Sequence, residues 1–275
     1  MSLNFDRYKS QQRCEAFLGC TDDLDKWYSS KRIFEGYSHN YGNSIVYSND
    51  LRVDAIDLYK KGLLSLLQST FSIQIGNKSE SWLSVMLYYS LHYFLRASLA
   101  ANGIGLIRNG ALYFLSDTPG SIPIKGRSRN YQTTHGGVIH YFMDNFKMSD
   151  KLLSNEIDDM ESYVWFKEFR EVINYRISDF QEPKEYEYWQ YINSKTNQSK
   201  LNELIDLYYN DPDYLYCFQE DHAVLALPLK RARLTLEQFS SKNISINYEN
   251  GEKEYYLSLT KIQQIQNISL TKLIP

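Results

Sequence analysis

SWLSVMLYYSLHYFLRASLAANG, residues 81–103, is the stretch that decides the fold. Trp82, Leu83, Val85, Met86, Leu87, Tyr89, Leu91, Phe94, Leu95 and Leu99 leave it almost no polar side. Its spacing predicts a helix from Trp82 to Asn102. Ser79 or Ser81 caps the start, Glu80 lies in the first turn, and Gly103 is free to take the positive φ that ends it. The length approaches that of a membrane span, but His92 and Arg96 sit mid-helix, where lipid would penalise them. A helix apolar on every side belongs inside a bundle.

Working outward, a second helix is expected from Ser48-Asn49-Asp50. Val53, Ile56, Tyr59, Leu63, Leu66, Leu67 and Phe71 recur at helical period, and Ile75-Gly76-Asn77-Lys78 stops it. Gly62 inside it should weaken it by about 1 kcal/mol relative to Ala. Residues 1–48, rich in Tyr, Ser, Asn and Gly, read as an irregular wrap, with a short helix near Cys14–Leu18. Residues 104–132 read as a loop with a short strand at Leu112–Leu115. Thr133 or Thr134 caps the next helix, and Glu156–Glu161 opens the last core helix, Ile157–Ser178, which Pro183 ends. In the tail, Leu201–Tyr209 reads as an amphipathic helix and Pro228 starts another. Ile244–Tyr248 and Glu254–Leu259 read as a β-hairpin across Asn250-Gly251. The class is mainly α: a wrap (1–48), a helical core (49–183) and a helical extension with a hairpin (184–275).

The 275 residues are 43% hydrophobic and 23% charged, which excludes collagen, low-complexity disorder and a disulfide scaffold. Cys14, Cys20 and Cys217 form no CxxC pair, and no signal peptide is read at the start. A reduced, cytoplasmic setting is therefore expected, with no membrane partner. The 24 tyrosines suit half-buried helix faces, interfaces and base stacking. Charge is uneven. From Ser81 to Met143 five bases (Arg96, Arg108, Lys125, Arg127, Arg129) face one acid, Asp117; from Asp144 to Glu220, 17 acids face 8 bases. Lys125, Arg127 and Arg129, with Lys230, Arg231 and Arg233 in the tail, are the candidate nucleic-acid contacts.

The sharpest candidate is Phe169-Arg-Glu-Val-Ile-Asn-Tyr-Arg176. At about 100° per residue, Asn174 falls about 40° from Arg170, on a stripe shared with Tyr163, Phe166 and Ile177. Arg170 is then a cation on a packing face, and should meet an acid, a dimer partner or a phosphate.

Ser81–Gly103, Thr134–Phe142 (THGGVIHYF) and Phe169–Arg176 (FREVINYR), in that order, resemble the HEPN superfamily of compact helical domains in prokaryotic toxins and defence proteins. The tail, with its Pro-Leu-Lys-Arg run, resembles the YaaC-type proteins within it. The resemblance covers about residues 50–180 and implies a HEPN-like helical bundle. In catalytic members an Arg separated by four to six residues from a following His cleaves RNA without a metal, often across a dimer. Arg170 matches the Arg. The His would stand at 175, 176 or 177, where this chain has Tyr175, Arg176 and Ile177. Neither Asn174 nor a tyrosine of pKa about 10 is a ready general base.

Three functions follow. The first is a non-catalytic interaction or nucleic-acid-sensing subunit of a prokaryotic antiviral defence or toxin–antitoxin system, working as a homodimer or in a larger complex with RNA or DNA. The second is a metal-independent endoribonuclease using Arg170, Asn174 and Arg176, with His135 or His140 carrying the proton. The third is a small-ligand or nucleotide-binding module centred on His92 and Arg96, although pairing of these two with acids of the last helix is the preferred reading. There is no P-loop, no HExxH and no Gly-x-Ser-x-Gly, and no metal or cofactor is expected.

Overall fold

The computed structural model describes residues 7–20, 27, 34–75, 79–126, 129–176, 187–197 and 199–275. In chain order these form α1 (Lys9–Phe17), α2 (Tyr41–Gln74), α3 (Glu80–Ala101), β1 (Ile104–Asn109), β2 (Ala111–Ser116), β3 (Ile124–Lys125), α4 (Thr134–Phe146), β4 (Glu156–Ile157) and β5 (Met160–Glu161). Then come α5 (Ser162–Glu171), a π-helical segment (Val172–Arg176), α6 (Glu187–Asn197), α7 (Leu201–Asn210), α8 (Glu220–Ser241), α9 (Glu252–Leu259), β6 (Lys261–Ile262), β7 (Ile265–Gln266) and α10 (Ile268–Thr271). The protein is mainly helical with small antiparallel sheets. No helix among the described residues is long and apolar enough to cross a membrane.

The chain divides into two compact units. One comprises Met1–Leu58 and Arg96–Tyr141, the other Tyr59–Leu95 and Phe142–Pro275. In the first unit β1 and β2 pair from Ile104↔Ser116 to Asn109↔Ala111, and β3 adds to β2. The expected strand at Leu112–Leu115 is thus the middle of a three-stranded sheet. Gly103, at φ +76°, ends α3 as anticipated. Gly105 leaves the space in which the Tyr47 hydroxyl lies, and a Cβ there would overlap it. The Asp54 carboxylate accepts the amides of Lys9 (2.7 Å) and Ser10 (2.9 Å), which fixes the first turn of α1. Helix α2 begins at Tyr41, earlier than Ser48. The Asn40 side chain accepts the Asn43 amide at 2.8 Å and supplies a cap ahead of residues of weak helix propensity.

In the second unit Tyr59, Leu63, Leu66 and Leu67 of α2 and Leu87, Leu91, Phe94 and Leu95 of α3 are buried, as their periodicity requires. Gly62 is part of this packing. A Cβ there would stand 2.8 Å from the Phe94 ring, and the Ser90 hydroxyl donates to the Gly62 carbonyl at 2.8 Å. The tail joins the same core through the Tyr59 hydroxyl, which donates to the Leu273 carbonyl at 2.9 Å.

Three expectations fail here. The acids 156–161 do not open a helix. They form the β4–β5 hairpin, whose turn holds Asp158 and Asp159 at φ +50° and +57°, and α5 starts only at Ser162. Pro228 lies inside α8, not at its start. An interior proline costs about 3 kcal/mol, and the burial of every residue from His222 to Ala232 offsets it. Residues 252–259 are helix α9, preceded by Gly251 at φ +80°. The hairpin of the tail lies instead at β6–β7, turning through Gln263 and Gln264 in the left-handed region.

Candidate functional site: an arginine among tyrosines

Helix α5 buries Tyr163, Trp165, Phe166, Phe169 and Arg170. Arg170 is 8% exposed. Its Nη2 donates to the Tyr89 hydroxyl at 3.2 Å, and its guanidinium carbon lies 5.5, 5.7 and 5.4 Å from the ring centroids of Tyr88, Tyr89 and Tyr175. No carboxylate pairs with it among the described residues. Glu168 and Glu171 are engaged by Lys167 at 2.9 and 3.0 Å, and Glu168 also by Arg176 at 3.4 Å. The charge therefore rests on ring faces, each contact worth about 0.5–2 kcal/mol. Burial works against the charged form, but the Tyr89 hydrogen bond and the neighbouring phenols leave its pKa raised. Burial also pushes the Tyr88 hydroxyl up, opposed by the cation beside it. The Arg170 Nε has no partner.

Past Glu171 the backbone widens to i→i+5 bonding, which advances fewer degrees per residue than an α-helix. Asn174 stays on the Arg170 side of the helix, but unlike Arg170 it is not buried. Asn174, Tyr175 and Arg176 all face solvent. Tyr175 is 73% exposed, with Arg170 behind its ring. Ile177 lies outside the described residues.

His135 and His140 belong to the first unit, both half-buried on α4; the ring of His140 is 6.4 Å from that of Tyr131. Thr133 caps this helix, accepting the Gly136 amide at 3.0 Å. Arg170, Asn174 and Arg176 belong to the second unit. The histidines described in the second unit are His92 and His222. His92 is 3% exposed, its ring 6.1 Å from that of Tyr88. His222 is buried with its Nδ1 2.7 Å from the Tyr208 hydroxyl, and burial lowers its pKa.

The expected pairing of His92 and Arg96 with acids of the last core helix is not what the structure shows for Arg96. Its guanidinium lies 4.6 Å from the Tyr8 ring, beside a cavity of about 20 Å³ lined by Tyr8, Ser10, Asp54 and Gly105. That volume suits one water, not a nucleotide.

The tail run is corrected too. Lys230, 1% exposed, donates to the carbonyls of Tyr209 (2.9 Å) and Asp211 (2.7 Å), closing the end of α7. Arg231 is buried against Asp150 at 2.8 Å, and the Tyr163 hydroxyl donates to the same carboxylate at 2.6 Å. Arg233 is half-buried, bonded to the Tyr209 carbonyl at 2.7 Å and to Glu237 at 2.8 Å. Lys230 and Arg231 are interior, and Arg233 is partly exposed and paired with Glu237, so the run does not form an open cationic patch. Lys125 is exposed at the end of β3, while Arg127 and the Arg129 side chain lie outside the described residues.

Sequence reasoning missed the tyrosine cage and the Asp150–Arg231–Tyr163 network. The adjacent Tyr88-Tyr89 pair, set on the helix already judged central, was the available signal for the cage. No group of His, Cys, Asp or Glu among the described residues could hold a metal ion. Comparison with protein-family models, curated proteins and solved structures finds no match.

Proposed function

We propose that the protein is a HEPN-like, non-catalytic subunit that senses or binds single-stranded nucleic acid within a prokaryotic antiviral defence or toxin–antitoxin system. The observation that carries the reading is the Tyr175 ring, 73% exposed and backed by the Arg170 guanidinium at 5.4 Å. A phenol held from behind by a cation is a stacking platform for a base, and Arg176, whose side chain is 62% exposed, stands next to it for a phosphate. Catalysis is not part of the proposal. Arg170 is enclosed by rings, and the positions one turn beyond it carry Asn174, Tyr175 and Arg176 and no imidazole.

The test is fluorescence anisotropy of a labelled single-stranded RNA, with a DNA of the same sequence alongside. Tyr175→Ala should weaken binding about five- to a hundredfold, the worth of one stacked base. Arg176→Ala should weaken it less and reduce its salt dependence. Failure of the wild type to bind either strand would overturn the reading. Cleavage of the RNA by wild type but not by Arg170→Ala would replace it with a ribonuclease.

A further inference from the structure

The two faces of the Tyr175 ring differ in character. The inner face carries the Arg170 guanidinium, 5.4 Å from the ring centroid, while the side chain as a whole is 73% exposed. No carboxylate neutralises that cation from behind. Glu168 and Glu171 are held by Lys167 at 2.9 and 3.0 Å, and Arg170 leans on the phenols of Tyr88, Tyr89 and Tyr175. At 8% exposure the guanidinium is also poorly screened by water and salt. Of the three rings Tyr88 is buried and Tyr89 half-buried, so Tyr175 is the one that offers a broad face to a ligand.

An aromatic face is ordinarily negative. A fixed cation on one side draws π density toward itself and leaves the opposite side electron-poor. We propose that Tyr175, polarised by Arg170, selects neutral, electron-rich purines, guanine above all, and rejects bases that are themselves cationic, such as N7-methylguanine. The inference rests on the single-strand reading above and adds to it the identity of the base. A purine covers more of the ring than a pyrimidine, and the most electron-rich base gains most from an electron-poor face. A stacked base lies about 3.5 Å outside the ring. A cationic base would therefore stand roughly 9 Å from the guanidinium with only the ring between them, and repulsion of like charges at that distance lowers affinity about two- to twentyfold. A tyrosine without a cation behind it has the reverse order, because its negative face attracts a positive base. The sign of the preference thus reports the charge behind the ring. Arg170 is a positioning residue here, acting through Tyr175 without touching the base. The phosphate contact of Arg176 is common to every strand and does not set the order.

Fluorescence anisotropy with uridine strands that differ only in one central base tests this, the base being guanine, adenine, cytosine or N7-methylguanine. The wild type should bind the guanine strand about three- to tenfold more tightly than the cytosine strand, with adenine between them. It should bind the N7-methylguanine strand about two- to twentyfold more weakly than the guanine strand. Tyr175→Phe should keep both preferences. Arg170→Met, similar in length and uncharged, should shrink the first and reverse the second. Because Arg170 is packed in the interior, Tyr175→Leu provides an arm on an exposed position: both preferences should vanish while the salt dependence supplied by Arg176 stays. A wild type that binds all four strands equally, or N7-methylguanine more tightly than guanine, sinks the base selection and leaves single-strand binding intact. So does a folded Arg170→Met protein with unchanged preferences, or a Tyr175→Leu protein that retains them. A wild type that binds none of the strands removes both readings.

Discussion

Asp150 serves three partners at once. It accepts from Arg231 at 2.8 Å and from the Tyr163 hydroxyl at 2.6 Å, and its other oxygen takes the Leu152 amide at 3.1 Å. Both side chains of the ion pair are almost fully buried, 6% and 4% exposed. Removing the carboxylate leaves a guanidinium in the interior without its counter-charge, so Asp150→Ala should destabilise the fold by about 3–5 kcal/mol. The double variant Asp150→Leu with Arg231→Leu should lose clearly less than the two single variants summed. Urea denaturation of the wild type, Asp150→Ala, the two Leu single variants and the double variant measures both. Strict additivity would show that the pair is not coupled. Arg170 makes the contrasting case: a cation of similar burial that leans on phenol rings and keeps most of its N–H groups unspent.

At the scale of elements, Gly62 separates two accounts of α2. Read from propensity alone, a glycine inside a helix is a defect, and Gly62→Ala should stabilise by about 1 kcal/mol. Its setting reverses the sign. The new methyl would meet the Phe94 ring at 2.8 Å and the Ser90 carbonyl at 3.1 Å. Overpacking of this kind costs about 1–3 kcal/mol, so thermal melting should show a loss, and a gain would refute the packing account. The same contrast explains what could be read in advance. Helix α3 was legible because it is a long apolar run with a cap at one end and Gly103 at the other, α7 because its apolar residues repeat cleanly, and β2 because turn residues bracket it. The β4–β5 turn was not, since an Asp-Asp pair resembles the acidic first turn of a helix until the backbone puts both at positive φ. Pro228 was misplaced because its breaker signal is local, while the burial that overrides it comes from residues distant in sequence. The Arg170 stripe was legible as far as Arg170 itself. Asn174 was not, because an angular step assigns a side but not where along the helix the packing ends, and burial stops before residues 174–176.

Across the whole molecule, the shift from basic to acidic composition after Met143 falls at the border of the two units, whose segments divide at Tyr141 and Phe142. Each unit also holds a buried imidazole, His39 in the first and His222 in the second, and burial lowers the pKa of both from the ordinary 6.5. In the unfolded chain these histidines take up protons as pH drops below about 6.5, whereas in the folded chain they resist until lower pH. Their contribution to stability is therefore complete above pH 6.5 and is lost as pH falls toward the folded-state values. The melting temperature should drop between pH 7 and pH 5. The drop should be smaller in the double variant His39→Gln, His222→Gln, and equal slopes in the two proteins would refute the assignment. Finally, the close crossing at Gly62 has an evolutionary consequence. In descendants of this sequence, positions 62 and 94 are expected to change together, any side chain gained at the first being matched by a smaller ring or an aliphatic group at the second. That covariation would mark the α2–α3 pair in relatives too diverged to align by eye.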